Sequence, residues 1–173
     1  MNFTIRVATP ADIADTQRIE IDAGRLFRDA GLDSIADDPP NDDATMLAYI
    51  RDGRAWTAVN VDGEAIGYAV ASVVDNEAHL DQVSVAVAEG RKGVGTALIA
   101  AVTEWARTNG LDALTLTTFA DLAFNGPYYR KLGFVEVPRE KWGPELAAIR
   151  TSEIANGIDV APRIAMRLKI QGS

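Results

Sequence analysis

The sequence contains no cysteine and one histidine, and these shortages exclude several kinds of chemistry. A chain without cysteine forms no disulfide, no thiolate metal site and no nucleophilic thiol. No apolar run approaches the roughly 20 residues that span a bilayer. The first residues also lack a basic stretch followed by an apolar one, so no signal segment is predicted. We expect a cytoplasmic protein that has neither a membrane partner nor a bound metal.

Basic side chains are also in short supply, with 17 lysines and arginines against 25 acidic residues and a net charge of −8. Nucleic-acid binding draws much of its affinity from neutralised phosphates, so a nucleic-acid partner is not expected. The negative charge favours a cationic ligand such as an amine. Many proteins carry such a charge for solubility alone, which is the stronger interpretation.

The 173 residues, 47% of them hydrophobic, are enough for one domain, predicted to span 1–173. No repeat or linker interrupts the chain, and the apolar periodicity predicts an α/β fold. The predicted strands are 3–8, 54–61, 64–74, 78–87, 113–119, 134–137 and 163–170. The predicted helices are 9–27, 44–50, 96–109, 127–132 and 143–156, and 31–43 is predicted to be an acidic loop.

A glycine-rich turn joins the fourth strand to the next helix. Gly90, Gly93 and Gly95 fall within six residues there, next to Arg91 and Lys92. A helix N-terminus presents unpaired N–H groups and partial positive charge, and glycines let the backbone approach an anion. The turn therefore predicts a pyrophosphate cradle, whose candidate binding residues are Arg91, Lys92, Gly93, Val94, Gly95, Thr96 and Ala97.

Other interpretations of this turn remain open. A P-loop requires a lysine followed by serine or threonine after its last glycine, and Thr96-Ala97 does not provide it. A dinucleotide fingerprint requires a third glycine, where Leu98 stands, and a position after the first strand. A tight turn that binds no ligand is the third alternative.

Two segments in this order resemble a known family. Residues 93–98, Gly-Val-Gly-Thr-Ala-Leu, look like the pyrophosphate turn of the GNAT superfamily of N-acetyltransferases. Residues 129–134, Tyr-Arg-Lys-Leu-Gly-Phe, look like its second motif, about 35 residues later. The resemblance covers roughly 3–137 and the last strand. It implies a central, mixed, mostly antiparallel sheet of about seven strands, splayed between strands 4 and 5 and flanked by helices.

The same resemblance implies the reaction and its residues. Acetyl-CoA is the expected co-substrate, and its acetyl group passes directly to a primary amine without a covalent enzyme intermediate. Tyr129 matches the acid that protonates the departing thiolate, and Val83 and Val85 match backbone sites for the acetyl carbonyl and the pantetheine arm. Apart from the resemblance, whose asparagine lies further upstream, the position of Asn125 makes it a candidate cap for the helix that carries Tyr129.

The base is less well defined by the sequence. An amine must lose a proton before it attacks a thioester, so a nearby base is useful. His79 and Asp81 lie on one face of the fourth strand with Val83 and Val85, because side chains alternate along a strand. An imidazole titrates near neutral pH, and the resemblance places both residues at catalytic positions. Water alone as the base is the alternative, with His79 a surface or hairpin-end histidine and Asp81 merely solvated.

Two features depart from the family pattern. Gly90 stands where Gln or Arg is usual, with Arg91 one step later, and the connection 138–162 is unusually long. This connection is predicted to be a lid, a packing element or a dimer contact. The predicted function is acetyl transfer to a small-molecule or peptide amine. A non-catalytic acyl-CoA sensor or scaffold is the alternative, and dimerisation, common in the superfamily, has no motif here.

Overall fold

The computed structural model describes residues 2–171, so the ends of the predicted domain, 1 and 173, lie outside the described residues. The strands are β1 (Phe3–Val7), β2 (Ala55–Asn60), β3 (Ala65–Val74), β4 (Glu77–Val85), β5 (Ala113–Phe119), β6 (Val135–Glu136) and β7 (Arg163–Lys169). The helices are α1 (Ile13–Ala23), α2 (Arg25–Asp29), α3 (Asp33–Ala36), α4 (Asp43–Arg51), α5 (Val94–Thr108), α6 (Gly126–Lys131) and α7 (Pro144–Ala155). Short 3₁₀ turns occupy Pro10–Asp12, Val87–Glu89 and Arg139–Lys141.

Seven strands form one sheet in the order β1-β2-β3-β4-β5-β7-β6. The pairs β1–β2, β2–β3, β5–β7 and β6–β7 are antiparallel, and β4 runs parallel to β5. The parallel register joins Ala78 to Leu114 and His79 to Thr115. The predicted α/β class, strand number and mostly antiparallel sheet are confirmed.

The chain divides into two compact units. Unit 1 contains the chain up to Ser72 and the segment Leu80–Glu104, and unit 2 contains Val73–His79 and the chain from Trp105 onward. In unit 1, α1 and α4 pack on the first strands through buried apolar residues, among them Ile19, Met46 and Tyr68. In unit 2, α7 packs through Leu146 against Val74 and Ala165.

The predicted first helix, 9–27, is broken in the structure. A 3₁₀ turn precedes α1, α1 ends at Ala23, and α2 begins at Arg25 after Gly24. A Cβ at Gly24 would lie 3.1 Å from the carbonyl oxygen of Ala36, so the following loop approaches the backbone closely at this point. The predicted irregular loop 31–43 also contains the one-turn helix α3.

The long connection 138–162 contains α7, whose N-terminus is held by the β3–β4 hairpin. The Asp75 carboxylate accepts the N–H groups of Glu145 and Leu146, each at 2.9 Å, and the Glu145 side chain accepts the Asp75 N–H at 2.8 Å. Asp75 thus satisfies N–H groups that a helix start leaves unpaired. These contacts are those of a packing element, while the lid and the dimer contact stay predictions.

Candidate active site

The glycine-rich turn lies in unit 1 between β4 and α5. Arg91, with φ 62°, and Gly93, with φ 84°, both adopt the left-handed conformation. For a residue with a Cβ this conformation costs about 1–2 kcal/mol, so its occurrence at Arg91 marks a tightly constrained turn. Arg91, Lys92 and Gly93 are all exposed, which leaves this backbone open to a ligand.

Close packing fixes the start of α5. Val94 and Leu98 are 2% and 0% exposed, and a Cβ on Gly67 of β3 would lie 3.1–3.2 Å from both side chains. The Asp22 carboxylate of α1 accepts the Val87 N–H at 2.7 Å, which holds the chain just before the turn. The turn therefore presents the N–H groups of a helix start from a rigid support.

This arrangement fits a pyrophosphate. The helix start carries partial positive charge, and the turn adds the side chains of Arg91 and Lys92. Lys92 Nζ lies 3.1 Å from a carboxylate oxygen of Glu89 in an exposed ion pair, which an anion can exchange at little cost. Gly90, the departure noted in the sequence, has the ordinary extended φ of −64°.

Asp81 of β4 is held in unit 1 by two hydroxyl groups. Its Oδ2 accepts the Tyr49 hydroxyl at 2.6 Å and its Oδ1 accepts the Ser72 hydroxyl at 2.9 Å. Burial and the neighbouring Asp81 raise the pKa of Tyr49, so its phenol stays protonated and donates. Asp81 is half-buried, and its orientation is fixed while solvent still reaches it.

His79 belongs to unit 2 and is 3% exposed. Its Nδ1 lies 2.8 Å from the hydroxyl of Thr115 on β5, and that hydroxyl also lies 3.3 Å from the Ala78 carbonyl oxygen. The imidazole is thus held within the parallel pair that joins β4 to β5. Its burial limits direct contact with a solvent-borne amine.

Tyr129 of α6 is buried in unit 2 at 7% exposure. Its ring lies 5.6 Å from the ring of Phe134 and 5.3 Å from that of Tyr128, in edge-to-face arrangements. Burial, and secondarily Tyr128, raise the pKa of Tyr129 above its ordinary value. The phenol is therefore protonated throughout the neutral range and able to donate a proton.

Asn125 precedes α6 but its side chain does not cap the helix, contrary to the sequence expectation. Its backbone carbonyl accepts the Tyr129 N–H at 2.9 Å, while Nδ2 donates to the Phe124 carbonyl at 3.1 Å. With Nδ2 engaged in this way, Oδ1 is buried and has no hydrogen-bond partner within residues 2–171. A buried acceptor in this state fits a ligand N–H.

The structure distributes the predicted site residues between the two units. Unit 1 contains the turn residues together with Asp81, Val83 and Val85, and unit 2 contains His79 and Tyr129. Val83 and Val85 are half-buried.

Sequence reasoning missed a second carboxylate in unit 1, that of Glu20 on α1. Its Oε2 accepts the hydroxyl of Tyr68 at 2.9 Å. The signal was present, because Glu20 follows Ile13 by seven residues and Thr16 by four, which places it on the inward face of the helix. A carboxylate on that face is unusual enough to single out.

Two further findings concern ligands and membranes. Nowhere between residues 2 and 171 do three or more metal-ligating side chains cluster closely enough to hold an ion. None of the helices in this described part is long and apolar enough to cross a membrane.

Comparison with known proteins decides the family. Residues 23–134 match the model of the acetyltransferase (GNAT) family. The chain belongs to the GNAT acetyltransferase family. It is 31% identical over 145 residues to the aminoglycoside N(6′)-acetyltransferase type 1 of Stenotrophomonas maltophilia, covering 79% of this chain and 88% of that protein.

Solved structures share the GNAT fold. The ribosomal-protein-S18-alanine N-acetyltransferase of Escherichia coli superposes with a TM-score of 0.69 at 21% identity, covering 99% of this chain and 96% of that one. The PaiA N-acetyltransferase of Thermoplasma acidophilum, solved with coenzyme A, gives 0.70 at 13% identity and covers 98% and 99%.

Family membership defines the reaction class. The chain is a GNAT N-acetyltransferase that takes its acetyl group from acetyl-CoA. The predicted family, enzyme class and co-substrate are confirmed, and the non-catalytic sensor is not supported.

Proposed function

We propose that this GNAT enzyme acetylates a primary amine of a cationic small molecule. The similarity to an aminoglycoside acetyltransferase over 79% of the chain carries this proposal, because the name of that relative specifies an amine on a small molecule. The net charge of −8 and the half-buried carboxylates of unit 1 suit a cationic acceptor.

Acetyl-CoA supplies the activated acetyl group as a thioester. We assign its pyrophosphate to the backbone of 93–97, with Arg91 and Lys92 adding positive charge. Val83 and Val85 of β4 would offer backbone groups to the acetyl carbonyl and the pantetheine arm. The buried Oδ1 of Asn125 would accept an amide N–H of the pantetheine arm.

Asp81 is the base that we favour. An alkylammonium with a pKa near 10.4 must lose a proton before it attacks. Asp81 is fixed by Tyr49 and Ser72 and remains open to solvent, so it is able to take that proton directly or through one water. His79 is 3% exposed and tied to Thr115, an arrangement better suited to a positioning residue.

Tyr129 is the proposed acid. Its raised pKa keeps the hydroxyl protonated, as a donor to the departing thiolate requires. The variant Tyr129→Phe keeps the ring contacts and removes the hydroxyl. We expect kcat to fall about 100-fold or more while acetyl-CoA affinity is unchanged. A variant as fast as the wild type would contradict this role.

The first test is calorimetric titration with acetyl-CoA, with NAD as comparison and Gly95→Glu as control. Saturable binding of acetyl-CoA that the glutamate abolishes supports the assigned cradle. Release of CoA thiol with a panel of small amines and short peptides then tests the acceptor class. Transfer to peptides alone would overturn the small-molecule proposal. A cytoplasmic location, a homodimer and a single domain stay predictions.

A further inference from the structure

Glu20 has an environment that differs from those of the charged residues around it. Its Oε2 accepts hydrogen bonds from the Tyr68 hydroxyl at 2.9 Å and from the Asn41 backbone N–H at 3.3 Å. Tyr68 is 1% exposed and belongs to the core of unit 1. Glu20 itself is half-buried, so its carboxylate is largely removed from water but not closed off from it.

Both donors to Glu20 are neutral, and none of the ion pairs found within residues 2–171 includes this residue. Burial raises its pKa, and the Asp38 carboxylate adds to the rise. Carboxylates taken out of water are normally paired with a cation. The Glu20 carboxylate is therefore held in place without the positive partner that would offset its burial.

Glu20 and Asp81 each accept a hydrogen bond from a different tyrosine. Tyr68 bonds Glu20 and lies within electrostatic range of Tyr49, whose hydroxyl bonds Asp81. Two tyrosine–carboxylate pairs thus occur together in unit 1, both made by side chains of α1, α4, β3 and β4. An acceptor with two positive groups could therefore place one of them at each tyrosine–carboxylate pair.

We infer that Glu20 binds a second, non-reacting ammonium group of the acceptor, and so selects molecules that carry more than one amine. This inference rests on the proposed acetylation of a cationic small molecule. An ammonium group offers three N–H donors and fits a carboxylate whose remaining lone pairs are open. Glu20 is a specificity-determining residue in this assignment.

A purely structural role is the competing explanation, since Glu20 also ties the Asn41 backbone to α1. The variant Glu20→Gln separates the two roles. Its amide oxygen still accepts from Tyr68 and Asn41, while the charge is lost. Asp15→Asn is the matched control, because it makes the same change on the same helix at a side chain that is 47% exposed.

The experiment compares spermidine, which carries three amines, with n-butylamine, which carries one. We expect Glu20→Gln to raise KM for spermidine about 10- to 100-fold, the loss typical of a hydrogen bond to a charged group. KM values for n-butylamine and acetyl-CoA should stay within about twofold, and Asp15→Asn should leave all three unchanged. Equal effects on both amines, or no effect on either, overturn the assignment to Glu20.

Different results would contradict the proposed function and the inference about Glu20. If the wild type acetylates neither amine, spermidine binding to the CoA-loaded protein is measured by calorimetry instead. Binding at least 10-fold tighter to wild type than to Glu20→Gln then supports the ammonium site, and equal binding overturns it. The absence of transfer counts against the proposed acceptor class.

Discussion

Charge is balanced differently around α7 in unit 2 and around Glu20 and Asp81 in unit 1. In unit 2, Arg150 of α7 pairs with Glu153 of the same helix at 2.7 Å and with Asp159 at 2.8 Å, and Arg163 pairs with Glu153 at 3.2 Å. In unit 1, Glu20 and Asp81 accept hydrogen bonds from tyrosine, serine and backbone donors. The arginines of the α7 cluster are thus matched by carboxylates, whereas the hydrogen bonds described for Glu20 and Asp81 come from neutral donors.

The difference suggests a division between fold and function. Burial lowers the pKa of Arg163 and Glu153 opposes that shift, which is the pattern of a charge held for structure. The Glu20 carboxylate, fixed by neutral donors, keeps its orientation and remains available to a cation from outside. We therefore expect changes in the ion cluster of unit 2 to cost stability and changes at Asp81 and Glu20 of unit 1 to cost activity.

The strongest test of this division is Asp81→Asn. The amide oxygen can still accept one of the two hydroxyl groups, and the amide NH2 can donate to the oxygen of the other. The amide cannot serve as a base, so kcat should fall about 100- to 10,000-fold with little change in Tm. The matched variant is His79→Gln, which keeps a polar contact with Thr115 and should lose far less activity. Steady-state kinetics at saturating acetyl-CoA decide the matter, and a larger loss in His79→Gln would reverse the assignment.

The variant Glu153→Ala in unit 2 tests the opposite expectation, a loss of stability without a loss of activity. It leaves Arg150 and Arg163 buried without their shared carboxylate, which should lower the free energy of unfolding by about 3–5 kcal/mol. Denaturant unfolding measures this loss, and Glu140→Ala, at an exposed position, is the control. At a temperature where the variant remains folded, kcat should be close to wild type. A loss below about 1 kcal/mol would mean that the cluster is not structural.

A smaller loss is expected for Gly143→Ala, at the N-terminus of α7. A Cβ there would lie 2.4–2.7 Å from the Asp75 carboxylate, which caps the helix. Displacing that cap should cost about 1–3 kcal/mol. In Asp75→Gly the obstacle is absent, so adding Gly143→Ala should cost little more. Additive losses in this double-mutant cycle would show that the contact with Asp75 is not the cause.

Local patterns were sufficient for much of this fold. Asp62-Gly63 and the alternation around it predicted the hairpin between β2 and β3, and β5 was predicted with its observed bounds. The glycines before α5 predicted the turn, because backbone freedom there is a property of the residues themselves.

Contacts between distant residues were not predictable in the same way. The break at Gly24 depends on Ala36, and the cap of α7 comes from Asp75, about 70 residues earlier. The surroundings of Glu20 likewise depend on Tyr68 and Asn41, which no local pattern connects to α1. Such contacts follow from the tertiary fold and not from periodicity.

The smallest expected effect is a difference between two carboxylates of unit 1 in acid. Asp12 forms a bidentate pair with Arg6, at 2.7 and 2.9 Å, and this pair lowers the pKa of Asp12, whereas burial raises the pKa of Glu20. A lowered pKa in the folded state adds stability that is present above the unfolded value, near 3.9, and lost as pH falls through the folded value. A raised pKa adds stability that is present below the unfolded value, near 4.3, and lost as pH rises through the folded value.

The variants Asp12→Asn and Glu20→Gln should therefore change Tm in opposite directions. At pH 7.5 and without acceptor, Asp12→Asn should melt below wild type, and Glu20→Gln should melt about 2–4 °C above it, a shift typical of about 1 kcal/mol in a chain of this size. The Glu20→Gln difference should shrink as pH is lowered towards 4, whereas the Asp12→Asn difference should persist down to the unfolded value near 3.9 and shrink below it. Thermal scans between about pH 3 and 8 measure both differences. A Glu20→Gln protein that melts below wild type at pH 7.5 would show that the Glu20 charge is already balanced within the fold. Glu20 would then have a structural role, like the charged residues of the α7 cluster.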